Sequence, residues 1–366
     1  MPVGGIKTGS LRENICASCT DFMWVAKEKD KIWWSGILVM TKDKETISVI
    51  IPAYKSANTI CETVDSVLNQ TRVPDEIIVV DDCSPDDTVA ALGPRMDRVI
   101  YIRHERNQGV GSARNTGFTA STGSLVSFLD GDDIFFPEFM ERASGILAEK
   151  QDAALCFANF HRAFEEQFAE IADRSIPAPP TVRIYQPEEI LKPYLYDSST
   201  PLINFGLVRR SAIEHILKDG LAFDPRVKLT ADFNYMLELL LNFSMAYIED
   251  RCGIWRLRAN SMSGDRVALW QSRAESIQFL REAPAMASVS EKSWKMLIEA
   301  EHSAIRYCAK ILSTSGERGA AIKMLIQEFF SHPSLKTAGL LGAIGLGLSY
   351  RQEKKSDRDW RGSTIK

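Results

Sequence analysis

The sequence predicts a doubly wound α/β fold, a mostly parallel sheet flanked by helices and followed by a helical C-terminal region. Three observations lead there. Short β-branched runs alternate with amphipathic stretches between residues 47 and 158, the order that builds parallel strands joined by crossover helices. The runs are continuously apolar, as strands covered on both faces require. They also end in polar or acidic clusters, and sheets of this kind bind ligands beyond the carboxyl ends of their strands.

Residues 47–51 (ISVII) form the first predicted strand, and residues 57–70 a helix with Ile60, Val64, Val67 and Leu68 on one face. Residues 76–80 (EIIVV) are the second strand, followed by the turn CSPDD and a short helix to Leu92. Residues 98–103 are the third strand, and the glycine-rich NQGVG leads into a helix over 112–120. Residues 124–129 are the fourth strand. Pro137 is placed at the first position of the next helix, where its fixed φ is favourable, and residues 153–158 form a fifth strand. Three amphipathic helices are expected over 267–282, 290–312 and 319–330, with Trp270, Phe279 and Trp294 as packing residues.

The chain has 366 residues, 45% hydrophobic and 25% charged, which excludes a mostly disordered or collagen-like polypeptide. A net charge of −4 argues against general nucleic-acid binding, which needs a basic face. Seven irregularly spaced cysteines read as reduced thiols rather than a disulfide framework, and the CxxC of Cys16 and Cys19 lacks the second ligand pair of a zinc site. No run reaches the ~18 apolar residues of a membrane span. The uncharged 337–350 (TAGLLGAIGLGLSY), followed by Arg351, Lys354 and Lys355, reads either as a packed helix or as a segment on a membrane surface. The first forty residues show neither helical nor strand period, and the folded domain is expected to start near Met40. The expected organisation is an extension over 1–43, an α/β domain over 44–263 and a helical region over 264–366.

Four successive strand ends carry Pro52-Ala53-Tyr54, Asp81-Asp82, residues 104–111, and Asp130-Gly131-Asp132-Asp133. Any one of these is an ordinary turn; together they outline a site. Three carboxylates within four residues repel one another unless a cation or donor sits among them. A hard divalent ion, Mg²⁺ for instance, takes oxygen ligands and shares its shell with substrate phosphates. The segment NQGVGSARN offers backbone N–H groups at a helix start together with Arg114, features suited to phosphate or to an acidic base edge, although it matches neither a P-loop nor GxGxxG.

The runs VIIPAYKSANTICETVDSVLNQT, DEIIVVDDCSPDDT, NQGVGSARNTG and GSLVSFLDGDDIFFPEFM, in this order and spacing, resemble the nucleotide-sugar domain of the family 2 glycosyltransferases, which have the GT-A fold. The resemblance is well spaced over residues 47–148 and weaker to about 263. It implies an inverting transfer from a nucleotide sugar, with UDP-sugar as the expected donor, through Mg²⁺ or Mn²⁺. A saccharide or lipid-linked acceptor in cell-surface polysaccharide synthesis is implied, with the protein cytoplasmic at the inner face of the membrane and in peripheral contact with it. Pro52, Ala53 and Tyr54 would line the nucleobase pocket, and Asp82 with Asp81 would sit at the base or ribose. Arg114 would approach base or phosphates and Asn115 would support the loop. Asp130 would face the ribose, Asp132 would hold the metal, and Asp133 would support it or face the donor sugar.

The same resemblance places the catalytic base at Asp232. An acceptor hydroxyl must lose a proton as it attacks the anomeric carbon. Ala231 stands where the family usually has glutamate, and on its own terms Asp232 reads as a carboxylate at a helix N-terminus. The segment from Trp255 to Ser263 resembles the family's diphosphate segment: Arg256 keeps the expected arginine, while Arg258 stands where histidine is common. An arginine cannot ligate metal but can pair with phosphate. These two departures favour a second reading, a non-catalytic nucleotide-sugar-binding scaffold, and the intact acidic cluster argues against it. A nucleotidyltransferase would need a glycine-rich basic motif where PAYKSANT stands. Tyr194, Tyr196 and Asn204 are open between sugar contact and packing.

Overall fold

The computed structural model describes residues 25–28, 31–34, 45–171, 174–196, 202–258 and 265–348. The chain divides into two units, residues 1–44 and residues 45–366. In the first unit β1 (Val25–Glu28) pairs antiparallel with β2 (Lys31–Trp34). Strands of four residues are too short to show a period in the sequence. Cys16, Cys19 and the expected start near Met40 lie outside the described residues.

The second unit begins with β3 (Ile47–Ala53), α1 (Ile60–Leu68), β4 (Glu76–Asp81), α2 (Thr88–Leu92), β5 (Ile100–Arg103), α3 (Val110–Ala120) and β6 (Leu125–Phe128). It continues with β7 (Ile134–Phe135), α4 (Phe139–Glu149), β8 (Ala153–Ala163), β9 (Val182–Tyr185), α5 (Leu191–Tyr196), β10 (Gly206–Arg209), α6 (Arg210–His215), α7 (Ala231–Asn242) and β11 (Ser244–Arg256). Four helices close the described chain: α8 (Arg266–Leu280), α9 (Glu291–Thr314), α10 (Arg318–Ser331) and α11 (Leu335–Gly345).

Among the described residues these strands form one nine-stranded sheet in the order β5-β4-β3-β6-β10-β8-β11-β7, with β9 also on β11. The half read from sequence, β5-β4-β3-β6, is entirely parallel. Beyond it β10 runs antiparallel to both β6 and β8, and β8 pairs parallel with β11. The continuous apolar runs follow from burial on two faces. Ile47, Val49 and Ile51 face one core with α1 and α4, while Ile50 faces the other with α3 and α7. β4 repeats the alternation, with Ile77 and Val79 in the first core and Ile78 and Val80 in the second. Helix α3 lies so close to the sheet that a Cβ on Gly117 would stand 2.3 Å from Ile50 Cγ2. Glycine at that position sets the height of the helix above the strands.

Several boundaries differ from the sequence reading. β5 starts at Ile100, because Pro94 sits in a 3₁₀ turn over Gly93–Arg98. Pro137 precedes α4 by two residues rather than opening it. Its carbonyl accepts from Thr71, and Phe136 is tied to the Cys252 carbonyl, so the helix begins only at Phe139. β8 extends to Ala163. The helices α8, α9 and α10 fall within two residues of expectation. α8 and α9 enter the second core through Ile277, Leu280, Leu297 and Ala300, whereas α9, α10 and α11 share a small separate cluster around Leu312, Leu325 and Ile344. Among the described residues no helix is long and apolar enough to cross a membrane. α11 packs through Leu340 and Ile344, as a docked helix would, while Leu335, Leu346 and Leu348 are exposed.

Candidate functional site

The strand ends converge as the sheet topology demands. β6 leads into Asp130, and a turn closed by the Asp133 N–H on the Asp130 carbonyl delivers the chain to β7, which pairs with Gly253 and Ile254 of β11. This brings the acidic cluster against the segment carrying Arg256 and Arg258. Asp133 is fully buried; its carboxylate accepts from the Arg256 backbone N–H at 2.9 Å and from the Asn204 amide. Asp130 accepts from Arg114 at 2.7 Å and from the same Asn204 amide at 3.1 Å. Asp132 is paired with Arg258 at 2.9 Å.

These contacts do not fully offset the crowding. Burial, and next the charge of Asp130, push the Asp132 carboxyl up to about 6, against the opposing pull of Arg258 and Arg256. Asp133 is held well above the usual carboxylate range by burial and by its two acidic neighbours. A site that raises its own carboxyls in this way favours an added positive charge. The oxygen donors of Asp130 and Asp132 have the chemistry a hard divalent cation requires.

Arg256 is committed within the protein. Its Nε donates to the Asp132 carbonyl at 2.8 Å, its two terminal nitrogens pair with Glu62 and Glu165, and its plane covers Phe168 at 4.4 Å. Arg258 is more exposed and also reaches the Thr59 hydroxyl at 3.2 Å, while Thr59 donates to the Gly131 carbonyl at 2.8 Å. Lys55, Asn58, Thr59, Glu165, Arg256 and Arg258 line a cleft of about 300 Å³. The cleft meets the acidic cluster through the Arg258–Asp132 pair.

At the end of β3, Pro52 and Ala53 are buried and Tyr54 is exposed; Lys55 then turns the chain with φ 55°. At the end of β4, Asp81 accepts from Tyr101 and Arg103, both at 2.6 Å, and from the Ser84 N–H at 2.7 Å. Although burial opposes it, these donors hold its carboxyl below the usual range. Asp82 accepts from the N–H groups of Gln108 and Gly109 at 2.8 and 2.7 Å and faces His104 Nδ1 at 2.7 Å. Two N–H groups of the glycine-rich loop, those just before α3, therefore serve the protein's own carboxylate. Asn115 brackets residues 222 and 223, accepting from both N–H groups and donating to the Phe223 carbonyl.

Asp232 lies in the first turn of α7, half-buried, where Arg114, Asp130 and Arg273 all act on it. Burial raises its carboxyl above the ordinary value, with Arg114 as the main opposing influence. Asp232 therefore belongs to the same electrostatic neighbourhood as the acidic cluster, although about a hundred residues separate them. Ala231 is buried, and a Cβ on Gly111 would meet its side chain at 3.2 Å. The close approach of α3 and α7 explains a small residue there. Asn204, left open by sequence, proves to be the donor that joins Asp130 to Asp133. Its neighbours PLINFG carry no spacing signal for that role. Tyr194 is buried and stacked on Phe233, and Tyr196 is exposed.

Residues 48–217 match the family model described as glycosyl transferase family 2. The chain is 40% identical over 109 residues to the succinoglycan biosynthesis protein ExoO of Rhizobium meliloti (strain 1021), which covers 30% of each chain. It is 27% identical over 226 residues to the uncharacterized glycosyltransferase EpsJ of Bacillus subtilis (strain 168), covering 59% of this chain and 62% of that one. The match spans 30% of ExoO and only 14% of an uncharacterized glycosyltransferase of Rickettsia bellii (strain RML369-C). Among solved structures, S. aureus TarS is similar with a TM-score of 0.53 at 17% identity, over 86% of this chain and 54% of that one. The mannosyltransferase PcManGT from Pyrobaculum calidifontis, solved with GDP-Man and Mn²⁺, is similar with a TM-score of 0.53 at 17% identity, over 85% and 82%. At such identity the likeness is one of fold, the GT-A fold.

Proposed function

From a chain that carries a glycosyltransferase family 2 domain with the GT-A fold, we propose an inverting glycosyltransferase that moves a sugar from a nucleoside diphosphate donor, a UDP-sugar, to a saccharide or lipid-linked acceptor in cell-surface polysaccharide synthesis. The observation that carries the proposal is the meeting of Asp130, Asp132, Arg114 and Arg258 at the strand ends, with Asp232 in the same electrostatic neighbourhood. Polysaccharide synthesis is supported by the similarity to ExoO. Peripheral membrane contact is supported by the exposed Phe330 on α10, Leu335 at the start of α11, and Leu346 and Leu348 after it.

Pro52, Ala53 and Tyr54 form the floor and rim for the base, with Asp81 and Asp82 shaping the adjoining turns. Asp130 faces the ribose, and Asp132, with Asp133 behind it, would hold Mg²⁺ or Mn²⁺. Bound there, the ion supplies positive charge to the departing diphosphate. Arg258 adds a fixed charge on the same side, and Arg256 and Arg114 hold Asp132 and Asp130 in place. The Asp232 carboxylate accepts the acceptor hydroxyl proton as that oxygen bonds to the anomeric carbon. The bond from that carbon to the diphosphate breaks on the opposite face, so the nucleoside diphosphate leaves and the configuration inverts.

The test is release of nucleoside diphosphate from a panel of nucleotide sugars, with Mn²⁺ or Mg²⁺ and with EDTA, using a membrane lipid extract as acceptor. Metal-dependent release from one donor is expected, and Asp232→Asn should lower it by roughly 10²- to 10⁴-fold with donor binding retained. Binding of the donor without release under every acceptor condition would favour the non-catalytic scaffold.

A further inference from the structure

Far along the chain from the acidic cluster, His302 on α9, Glu328 on α10 and His332, the residue that caps α10, bring one ligand atom each within 4.8 Å of one another. His302 and Glu328 are buried and His332 is exposed. The approach of the two buried groups is unusual. His302 Nδ1 and Glu328 Oε1 stand 2.7 Å apart, yet their alignment makes no hydrogen bond, and neither atom has another hydrogen-bonding partner among the described residues. Buried polar atoms are seldom left so. The His332 ring is tilted 50° to the His302 ring with 4.2 Å between centroids, and one of its nitrogens lies within 4.8 Å of the ligand atoms of His302 and Glu328. Glu328 and His332 are held together at the end of α10, where the His332 N–H donates to the Glu328 carbonyl at 2.8 Å.

We propose that His302, Glu328 and His332 bind a divalent transition-metal ion, Zn²⁺ by preference, that ties α9 to the C-terminal end of α10. Two imidazoles and one carboxylate suit a borderline ion such as Zn²⁺ better than Mg²⁺ or Ca²⁺. Three protein ligands leave one tetrahedral position for water. Tetrahedral ligand atoms on Zn²⁺ lie about 3.3 Å apart, so binding would open the 2.7 Å His302–Glu328 contact and turn the exposed His332 ring to complete the set. The role is structural. The cluster shared by α9, α10 and α11 is small, and a metal clip adds most where the apolar core is least.

The experiment uses the full chain and Zn²⁺ alone, with excess Mg²⁺ present to occupy the aspartate site. Calorimetric titration, Co²⁺ absorption and the melting temperature with and without EDTA are read for the natural chain, His332→Ala and Asp132→Asn. The expected result is one equivalent fewer of Zn²⁺ in His332→Ala, with loss of the matching Co²⁺ band and of the Zn²⁺-dependent rise in melting temperature. Asp132→Asn should keep all three. His332 is exposed, so its replacement leaves the fold intact even where His302→Gln does not. Equal stoichiometry, affinity and spectrum in the natural chain and His332→Ala would overturn the proposal and leave a buried histidine–glutamate pair.

Discussion

Single residues here are decided by what surrounds their polar atoms. Glu238 on α7 shows this away from the site. It is buried, its Oε2 has no hydrogen-bond partner, and burial, then Asp224, push its carboxyl from 4.5 up to about 8. Below pH 4.5 both folded and unfolded chains hold the proton, and the group does not affect stability through pH. Between 4.5 and about 8 the unfolded chain releases the proton while the folded chain keeps it, so stability falls as pH rises. Glu238→Gln should therefore stabilise the protein by about 2 kcal/mol near pH 8. The gain should vanish at pH 4.5, as read from denaturant midpoints across pH. The site residues follow the same logic. The acidic strand end with Asp130 and Asp132 was legible from its position, whereas Asp232 was singled out by the family resemblance. That Arg256 is bound up with Glu62 and Glu165 was not, since those partners come from α1 and the segment after β8.

Among the elements, the glycine-rich entry to α3 and the helix itself place Arg114. Gly117 sits where a methyl group would meet Ile50 at 2.3 Å and Val80 at 3.3 Å. Gly117→Ala should lift α3 from β3, cost about 1–3 kcal/mol, and weaken donor binding through the displaced Arg114. Urea melts and nucleotide titration read the two effects separately. β3, β4 and β6 were readable because they are buried on both faces and so carry apolar runs, while β5, at the sheet edge, is partly exposed. β11 was not readable, because Glu249, Asp250 and Arg251 interrupt it. They fall where its register on β8 shifts between Ile248 and Ile254, a bulge that turns charges outward without ending the strand. β10 has four residues and β7 two, too few for any period.

For the molecule as a whole, the C-terminal helices are of two kinds. α8 is bound into the α/β core by Ile277 and Leu280, and by buried polar links from Thr230 to Ser272 and Ser276 and from Asn234 to the Ser276 carbonyl. Those links run to the helix that carries Asp232. A chain ending at residue 264 would expose this surface, at roughly 1.5–3 kcal/mol for each large side chain, and should not fold cooperatively. A chain ending at residue 315 loses only α10 and α11, whose core is separate, and should fold with a cooperative thermal transition. Circular dichroism melts of the two truncations distinguish these outcomes.

Sequence alone determined the parallel half of the sheet, the order of its helices and the acidic strand ends, because each depends on a local period or on the residues that stop a strand. Only the tertiary structure decided which charges meet. Asn204 between Asp130 and Asp133, Arg258 on Asp132, the loop amides on Asp82, and the His302–Glu328–His332 group all join positions far apart in the chain or on different helices. No spacing in a sequence records such meetings. The first three arise when the connecting segments are brought to the same end of one sheet, and the last when α9 packs against α10.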